Sequence, residues 1–302
     1  MRKYRLITRS DFDGLVCAMI MKELDILEDI LFVHPKDMQD HMIDVGENDI
    51  TANVPFAKGV HLAFDHHSSQ SDDVHPNYIN KPDYPSAARV VYEYYGGEKN
   101  IKLSKDILEA VDKADSAGYT MEEIINPQGW ILLSFIMDPR SGFGRFRDFR
   151  ISNYDLMMLL IDYVKDHSLE EVLQQYDVKE RIEMYFEQQK LFKQQLLDCS
   201  EVIGTTVLLR LKQVDEIYVG NRFLIYTLFP QCQVSIHEMW GLKKRNTVYA
   251  LGKSIFNKDS DKDLGAICKK HGGGGHKNAA TCQVPNGIAQ HVLEEILEDL
   301  NK

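Results

Sequence analysis

Residues 4–14 read YRLITRSDFDG, and the order of residue types in this segment indicates how the N-terminal half folds. A short β-prone run from Tyr4 to Thr8 leads directly into an acidic turn that ends at Gly14. Apolar residues then recur at helical spacing from Leu15 to Leu27. The pattern predicts a strand, a loop and a helix in succession.

Strands and helices continue to alternate after this unit. Ser86 is placed to cap a helix from Ala87 to Tyr95, which two glycines would stop. Alternation of this kind is typical of an α/β domain with a mostly parallel sheet flanked by helices. The other predicted strands are Ile30–His34, a strand ending within 49–55, and Val60–Phe64.

The composition changes after residue 152. No Gly or Pro occurs from Asn153 to Ser200, so long helices are predicted there, and we interpret the last one, 178–197, as a connector between domains. β-Branched, alternating runs follow, which predict a smaller C-terminal α/β domain with a mixed sheet. The predicted limits are 1–152, 153–200 and 201–302. The C-terminal elements are strands at 202–211, 223–229, 233–237 and 247–251 and a helix at 263–270.

The bulk composition excludes several classes of protein. The 302 residues carry a formal net charge of -11, which argues against a basic surface for long duplex nucleic acid. Five cysteines without a CxxC pair argue against a disulfide framework or a structural zinc site. The N-terminus lacks a signal-peptide pattern, and no apolar run is long enough for a membrane span. We therefore expect a cytoplasmic protein without membrane contacts.

Acidic and histidine side chains follow the predicted strands. Ligands of open α/β sheets bind at the carboxyl ends of the strands, so these groups are expected to meet there. Oxygen ligands with one or two histidines suit Mn²⁺, or Mg²⁺ as the alternative, and a pair of such ions can activate water for phosphoryl chemistry. The groups are Asp11, Asp13, Asp49, Asp65, His66 and His67.

Two further segments have candidate substrate contacts. Four glycines precede His276, and a backbone without side chains can present N–H groups to an anion. Residues 139–150 interleave four arginines with three phenylalanines, which fits either a surface loop paired with acidic neighbours or a base-stacking and phosphate-binding loop. Lys253 is a weaker candidate for a phosphate contact. The arginines are Arg140, Arg145, Arg147 and Arg150.

The ordered motifs SDFDG at 10–14, DHH at 65–67 and GGGGHKNAA at 272–280 resemble the DHH–DHHA1 phosphoesterase family. The resemblance covers essentially the whole chain and implies a DHH catalytic domain followed by a DHHA1 substrate-binding domain. The family includes nanoRNases, cyclic dinucleotide phosphodiesterases, 3′,5′-bisphosphate nucleotidases, RecJ-type exonucleases and exopolyphosphatases.

The resemblance implies a metal-binding role for each motif carboxylate. Asp11 and Asp13 would each bind one ion, Asp49 would bridge the two ions, and His66 would bind the second. A fourth acidic ligand would be Asp115, with Asp112 as the alternative.

The resemblance also implies contacts with the substrate. Asp65 would support the site and His67 would face the scissile phosphate. The substrate's terminal phosphate or sugar would lie against Gly273, Gly274, Gly275 and His276.

One departure from the family pattern concerns the first metal. Most members have a histidine, or an aspartate in RecJ types, two or four residues before the first motif aspartate, where this chain has Arg9 and Ile7. Either the first ion binds weakly, or the fixed charge of Arg9 substitutes for it in catalysis.

The resulting expectation is a Mn²⁺-dependent phosphodiesterase that cleaves short dinucleotides such as pGpG or pApA to mononucleotides with a metal-activated water. Alternatives are a 3′,5′-bisphosphate nucleotidase, a cyclic dinucleotide phosphodiesterase, an exopolyphosphatase and, in a different class, a non-catalytic nucleotide sensor. The resemblance also allows a homodimer, although no segment identifies a subunit interface.

Overall fold

The computed structural model describes residues 2–67, 75–146 and 148–301. The chain divides into two compact units, Met1–Met184 and Tyr185–Lys302. This division falls inside a single long helix, and the predicted domain limits at 152 and 200 stay a prediction.

The first unit is built on a five-stranded sheet in which every neighbouring pair is parallel. The strand order is β2-β1-β3-β4-β5. This confirms the predicted parallel α/β architecture. The strands are β1 (Tyr4–Arg9), β2 (Leu27–Val33), β3 (Asp49–Ala52), β4 (Leu62–Asp65) and β5 (Tyr78–Asn80).

Helices pack around this sheet, and the first of them is central. Its residues from Phe12 to Met21 are all buried, and it contacts three other helices, α3, α4 and α7. The helices are α1 (Phe12–Glu23), α2 (Pro35–Gln39), α3 (Ala87–Tyr94), α4 (Lys105–Asp115), α5 (Met121–Ile125), α6 (Gly129–Met137), α7 (Asn153–Asp166) and α8 (Leu169–Gln174), with α9 (Tyr176–Asp198) running into the second unit.

Capping side chains set the beginnings of α1 and α3. The first helix begins at Phe12, three residues earlier than predicted, because the Asp11 carboxylate accepts a hydrogen bond from the backbone N–H of Gly14. The predicted cap of α3 is confirmed, since the Ser86 hydroxyl accepts from the backbone N–H of Arg89 at 3.0 Å.

The second unit contains a mixed six-stranded sheet of order β10-β11-β9-β8-β7-β6. Among its described strands, β7 and β8 form the one parallel pair. The elements are β6 (Ser200–Ile203), β7 (Thr206–Arg210), α10 (Leu224–Leu228), β8 (Val234–Trp240), β9 (Asn246–Lys253), α11 (Leu264–Lys270), β10 (Gly274–His276), β11 (Ala279–Pro285) and α12 (Ala289–Asn301).

One predicted strand, 223–229, is wrong, because these residues form the short helix α10. The Asn221 side chain accepts a hydrogen bond from the backbone N–H of Phe223 at 2.9 Å and so turns the chain into the helix. A short apolar run fits a buried helical turn as well as a strand. In the part of the chain that the structure describes, no helix combines the length and apolarity that crossing a bilayer requires.

Candidate active site

The candidate site lies at the carboxyl edge of the parallel sheet, where the strand order reverses. From β1 the chain passes to β2 on one side and then to β3 on the other, and such a reversal opens a crevice in doubly wound sheets. The loops after β1, β3 and β4 place Asp11, Asn53 and His66 at this edge, and Asp115 ends α4.

The turn after β1 depends on a close backbone approach at Gly14. A Cβ atom on Gly14 would lie 1.9 Å from the carbonyl oxygen of Arg9, so no larger residue fits without a backbone shift. The turn holds Asp11 beside Arg9, with 3.0 Å between the Arg9 Nε and the Asp11 Oδ2. Burial raises the pKa of Asp11, and the positive charge of Arg9 partly offsets that effect.

Asp13 is buried at the N-terminus of α3. Its two carboxylate oxygens accept hydrogen bonds from the backbone N–H groups of Ala87 at 3.0 Å and Ala88 at 2.7 Å. These donors belong to the first turn of a helix, where N–H groups are free to bind an anion. Burial and the nearby charge of Asp115 nevertheless raise the pKa of Asp13 to about 8. The site therefore concentrates negative charge that a cation would stabilise.

Asp13, His66 and Asp115 form a cluster with the geometry of a metal site. One ligand atom from each residue lies within 4.8 Å of the other two. The His66 Nδ1 lies 3.2 Å from the carbonyl oxygen of Tyr84, and its Nε2 lies 2.9 Å from the Asp115 Oδ2. A proton on Nδ1 that is donated to this carbonyl leaves Nε2 directed into the cluster, as a ligating histidine requires.

The protonation of the cluster follows from this contact. Burial alone lowers the pKa of His66, but Asp115 outweighs burial and raises it to about 9. Burial likewise raises the pKa of Asp115, and the contact with His66 outweighs that effect and lowers it. A divalent cation would replace the imidazolium proton as the partner of these carboxylates.

Asp65 orients His67. The Asp65 side chain is buried at the end of β4, and its Oδ1 lies 2.6 Å from the His67 Nδ1. The same oxygen accepts from the backbone N–H of His66 at 2.9 Å, and Oδ2 accepts from the Tyr78 hydroxyl at 3.2 Å. Burial lowers the pKa of His67, but its hydrogen bond to Asp65 and the charges of Asp65 and Asp115 together outweigh burial and raise it.

The geometry favours Asp115 over Asp112 as the fourth acidic residue. Asp112 accepts a hydrogen bond from the Ser86 hydroxyl at 2.6 Å and another from the Arg89 Nε at 2.9 Å. These contacts join α4 to α3 and occupy both oxygens of Asp112. Asp115 lies one helical turn further on and contacts His66 instead.

The predicted position of Asp49 is wrong. Asp49 is the first residue of β3, next to Arg5 in the parallel register, so it lies at the amino edge of the sheet rather than the carboxyl edge. Its oxygens accept from the Arg5 guanidinium at 2.8 and 3.0 Å and from the backbone N–H of Gly46 at 2.7 Å. An aspartate at this position stabilises the opposite end of the sheet and cannot bridge ions beside Asp11.

Asn53 takes the place at the carboxyl edge that Asp49 was expected to fill. It follows β3, is buried, and has a left-handed φ of 57°. Its Nδ2 donates to the Asp11 Oδ1 at 3.2 Å, while its Oδ1 is buried without a hydrogen-bond partner among the described residues. A buried amide oxygen in this state fits a cation ligand.

The arginine-rich loop is partly structural. Arg140 binds Asp138 through two hydrogen bonds of 2.7 and 3.0 Å. Burial lowers the pKa of Arg140, but Asp138 outweighs burial and raises it, with further contributions from Asp11 and Asp115, so its charge reaches the candidate site. Arg150 instead pairs with the buried Asp177.

The other two arginines of this loop are less informative. Burial lowers the pKa of Arg145, which lies above the backbone of Gly142. Arg147 lies outside the described residues.

The glycine-rich motif lies in the second unit. Gly274, Gly275 and His276 form β10, the edge strand beside β11, and Gly273 precedes it. A Cβ atom on Gly275 would lie 2.5 Å from the carbonyl oxygen of Ala279, and its φ of 145° also favours glycine. Lys253 donates through Nζ to the carbonyl oxygen of Ser260 at 2.9 Å. The substrate contacts predicted for these residues stay a prediction.

Comparisons with known proteins find similar solved structures. No family model and no curated protein matches the sequence. A pGpG-specific phosphodiesterase, PggH from Vibrio cholerae, is 50% identical, with a TM-score of 0.84 and 99% of both chains covered.

Two more distant structures share the fold. One is a DHH domain of a member of the s1p family of ribosomal proteins, at 14% identity and a TM-score of 0.67, with 100% of this chain and 87% of that chain covered. The other is RecJ from Thermus thermophilus in complex with Mn²⁺, at 13% identity and a TM-score of 0.61, with 98% and 52% covered. The Vibrio cholerae phosphodiesterase is 50% identical to this chain over 99% of both chains, and the two more distant structures share its fold. The chain therefore belongs to the DHH–DHHA1 family of phosphoesterases.

Proposed function

We propose that this chain is a Mn²⁺-dependent phosphodiesterase that hydrolyses linear dinucleotides, with pGpG as the first candidate, to mononucleotides. The observation that carries the proposal is the cluster of Asp13, His66 and Asp115 at the carboxyl edge of the sheet. The substrate class comes from the half-identical relative, which is a pGpG-specific phosphodiesterase.

The donor set fits a divalent cation that prefers oxygen with some nitrogen. Asp13 and Asp115 offer carboxylate oxygens, His66 offers an imidazole nitrogen, and Asn53 offers a buried oxygen without a hydrogen-bond partner among the described residues. Mn²⁺ and Mg²⁺ accept such ligands, and the histidine favours Mn²⁺. Bound at this edge, the cation would supply a water of lowered pKa and neutralise charge that develops on the phosphoryl oxygens.

The chain's own residues then hold and orient the reacting groups. We assign His67, fixed by Asp65, to the scissile phosphate, where its raised pKa favours the imidazolium form that donates a proton or a hydrogen bond. Arg9 and Arg140 supply fixed positive charge beside Asp11 and Asp115. Guanidinium groups bind phosphate oxygens well because their donors match the phosphate geometry.

We assign a contact with the terminal phosphate or sugar of the substrate to the glycine-rich motif of the second unit. The exposed strand β10 offers the backbone of Gly274 and Gly275 and the side chain of His276 to a terminal phosphate or sugar, whereas the N–H of Gly273 donates to the carbonyl oxygen of Cys268. Lys253 and Arg145 are weaker candidates for the same ligand. In this proposal the N-terminal DHH domain does the chemistry and the C-terminal DHHA1 domain binds substrate.

The net charge of -11 supports a small ligand rather than a long nucleic acid, because binding along a polymer uses extended basic surfaces. We also propose that the enzyme acts in the cytoplasm and that it can form a homodimer. Size-exclusion chromatography with light scattering tests the dimer directly.

Product analysis by chromatography tests the activity. The protein is incubated with Mn²⁺ or Mg²⁺ and a panel of pGpG, pApA, cyclic di-GMP, cyclic di-AMP, a 3′,5′-bisphosphate nucleotide, longer RNA and polyphosphate. We expect cleavage of a linear dinucleotide to mononucleotides. Binding of one member without turnover would instead identify a nucleotide sensor, and preferred cleavage of another member would transfer the assignment to that substrate.

Two variants localise the activity. Replacing His66 with alanine removes a member of the cluster and is expected to abolish turnover without unfolding the chain. Asp49→Asn is the matched control, because this carboxylate lies at the opposite edge of the sheet and is expected to leave the kinetics of pGpG cleavage close to wild type. Full activity of the His66 variant would contradict the proposed metal centre.

A further inference from the structure

Arg9 occupies the side of the candidate site that faces Asp11. Its Nε lies 3.0 Å from the Asp11 Oδ2, and the Arg9 side chain is only 25% exposed. The opposite oxygen of Asp11 accepts from the backbone N–H of Gly14 and from the Asn53 amide. Asp11 is therefore paired with a guanidinium, whereas Asp13, within the described residues, accepts only from two backbone N–H groups and has a ligand atom close to those of His66 and Asp115.

Asn53, the residue that follows β3 at the candidate site, is uncharged. Asn53 holds the carboxyl end of β3, where a carboxylate could be shared between two cations. An amide has one acceptor oxygen and no formal charge, so it is a poor bridge between two divalent ions. The side of the site at Asp11 is thus less suited to bind a divalent cation than the cluster of Asp13, His66 and Asp115.

The charges of the site favour a single divalent ion. The guanidinium of Arg9 acts electrostatically on both Asp11 and Asp115. Arg140, which Asp138 binds through two hydrogen bonds, adds a further guanidinium that interacts electrostatically with Asp11 and Asp115. A second divalent ion at Asp11 would have to bind next to the guanidinium of Arg9. These two positive charges would repel each other strongly, because the site is partly buried.

We propose that this site holds one divalent ion, on Asp13, His66 and Asp115, and that the guanidinium of Arg9 takes the place of a second cation beside Asp11. The inference rests on the proposed function for the role of the ion. Arg9 then binds a non-bridging oxygen of the substrate phosphate on the side opposite the ion. The chain departs in this respect from the two-ion site that the resemblance implies.

The number of bound ions can be measured without any activity assay. Metal-stripped full-length protein is loaded with Mn²⁺, passed through a desalting column, and analysed for manganese per chain. Electron paramagnetic resonance then distinguishes an isolated Mn²⁺ ion from a magnetically coupled pair. We expect one ion per chain and the spectrum of an isolated ion.

Two variants at Arg9 separate its charge from its position. Arg9→His removes the charge and offers a ligand, and we expect two ions per chain with a coupled spectrum. Arg9→Gln removes the charge alone, and we expect calorimetric titration of this variant to show a second Mn²⁺ binding event at least about tenfold tighter than any second binding by the wild type. Arg5→Gln is the matched control, because it removes another arginine of β1 from the opposite edge and leaves one ion per chain.

Two outcomes would overturn the inference. One is a wild-type protein that retains two coupled ions, and the other is an Arg9→His variant that folds, as shown by its circular dichroism and thermal transition, but still binds a single ion. One ion per chain without hydrolysis of any substrate would support the inference while contradicting the proposed function. The two claims therefore fail separately.

Discussion

Replacing Asp65 with asparagine is expected to slow catalysis while leaving the fold nearly intact. Asn and Asp have the same shape, and the amide oxygen can still accept from the His67 Nδ1 while the Tyr78 hydroxyl rotates to accept from the amide nitrogen. The packing at the end of β4 is thus preserved. What is lost is the negative charge that a half-buried imidazole contacts at 2.6 Å.

The size of the effect follows from the change in this one hydrogen bond. A bond to a charged group stabilises by about 1.5–3 kcal/mol and a neutral one by about 0.5–1.5 kcal/mol, so the substitution removes about 1–2 kcal/mol. If the bond is fully expressed in the transition state, kcat falls by about 5- to 30-fold.

The loss also depends on pH. Burial lowers the pKa of His67 and Asp65 raises it, so the substitution lowers this pKa. The variant loses its imidazolium at a lower pH than the wild type, and the deficit therefore grows as the pH rises from about 6 to 8.

The assay is steady-state hydrolysis of pGpG across this pH range, with thermal melting as the measure of stability. Tyr78→Phe is the control, because it deletes the other hydrogen bond to Asp65 and leaves the His67 contact in place; its kcat should change by less than about threefold. An Asp65→Asn enzyme with wild-type kcat and an unchanged pH profile would refute the assignment of Asp65 as the residue that orients His67.

Four further outcomes are expected. Gly14→Ala should destabilise the protein by about 2 kcal/mol or more in urea unfolding, because its Cβ would lie 1.9 Å from the carbonyl oxygen of Arg9; a wild-type midpoint would contradict the close backbone approach in this turn. Burial, helped by the charge of Arg222, lowers the pKa of His237 to about 4, so the unfolded chain binds a proton that the folded chain excludes. Stability should therefore fall by up to about 2 kcal/mol between pH 7 and pH 5, and His237→Gln should flatten this dependence. Arg181→Met should cost about 3 kcal/mol or more in the same urea assay, because the fully buried guanidinium donates to the backbone carbonyl oxygens of residues 151 and 177 and to the side chain of residue 153; a smaller cost would show that methionine packing compensates. Removing divalent ions with EDTA should abolish hydrolysis and lower the melting temperature, and adding Mn²⁺ should restore both; activity that survives EDTA would exclude metal-dependent chemistry.

The motifs with charged or conformationally special residues were predictable from the sequence. Asp11, Asp13 and Gly14 stand directly after a β-prone run, and Asp65 to His67 directly after an apolar one, so the carboxyl edge of a parallel sheet was expected for both. The structure places both groups there. The parallel order of the first sheet was expected from the alternation of strands and helices along the sequence.

Asn53 was missed because sequence reasoning searched for a carboxylate. The bridging metal ligand was assigned to Asp49 because it is acidic, although β3 begins at Asp49 and Asn53 follows the end of that strand. Finding the start of a four-residue strand requires the pairing of Asp49 with Arg5, which is a tertiary contact between residues 44 positions apart. The available signal was an Asn followed by Val-Pro after β-prone residues, since Asn tolerates the left-handed conformation that this turn adopts.

The short helix at 224–228 shows a second limit. Its residues are aromatic and apolar, as in a strand, and only the hydrogen bond from the Phe223 backbone to the Asn221 side chain and the packing around it select the helical turn. The interleaved arginines of 139–150 show a third limit of prediction from sequence. The acidic partner of Arg150 is Asp177, which lies 27 residues away, and no local pattern predicts this pairing.

The parallel order of the first sheet has a consequence for folding kinetics. Parallel neighbours cannot be joined by tight two-residue hairpins, so the sheet closes slowly compared with a sheet of hairpins. Asp13, His66 and Asp115 come from segments about 50 residues apart in the chain, and they meet only when β1, β4 and α4 have all docked. Binding of Mn²⁺ in a refolding experiment should therefore be a late event, and the rate at which the metal signal appears should report the final assembly step rather than the collapse that precedes it.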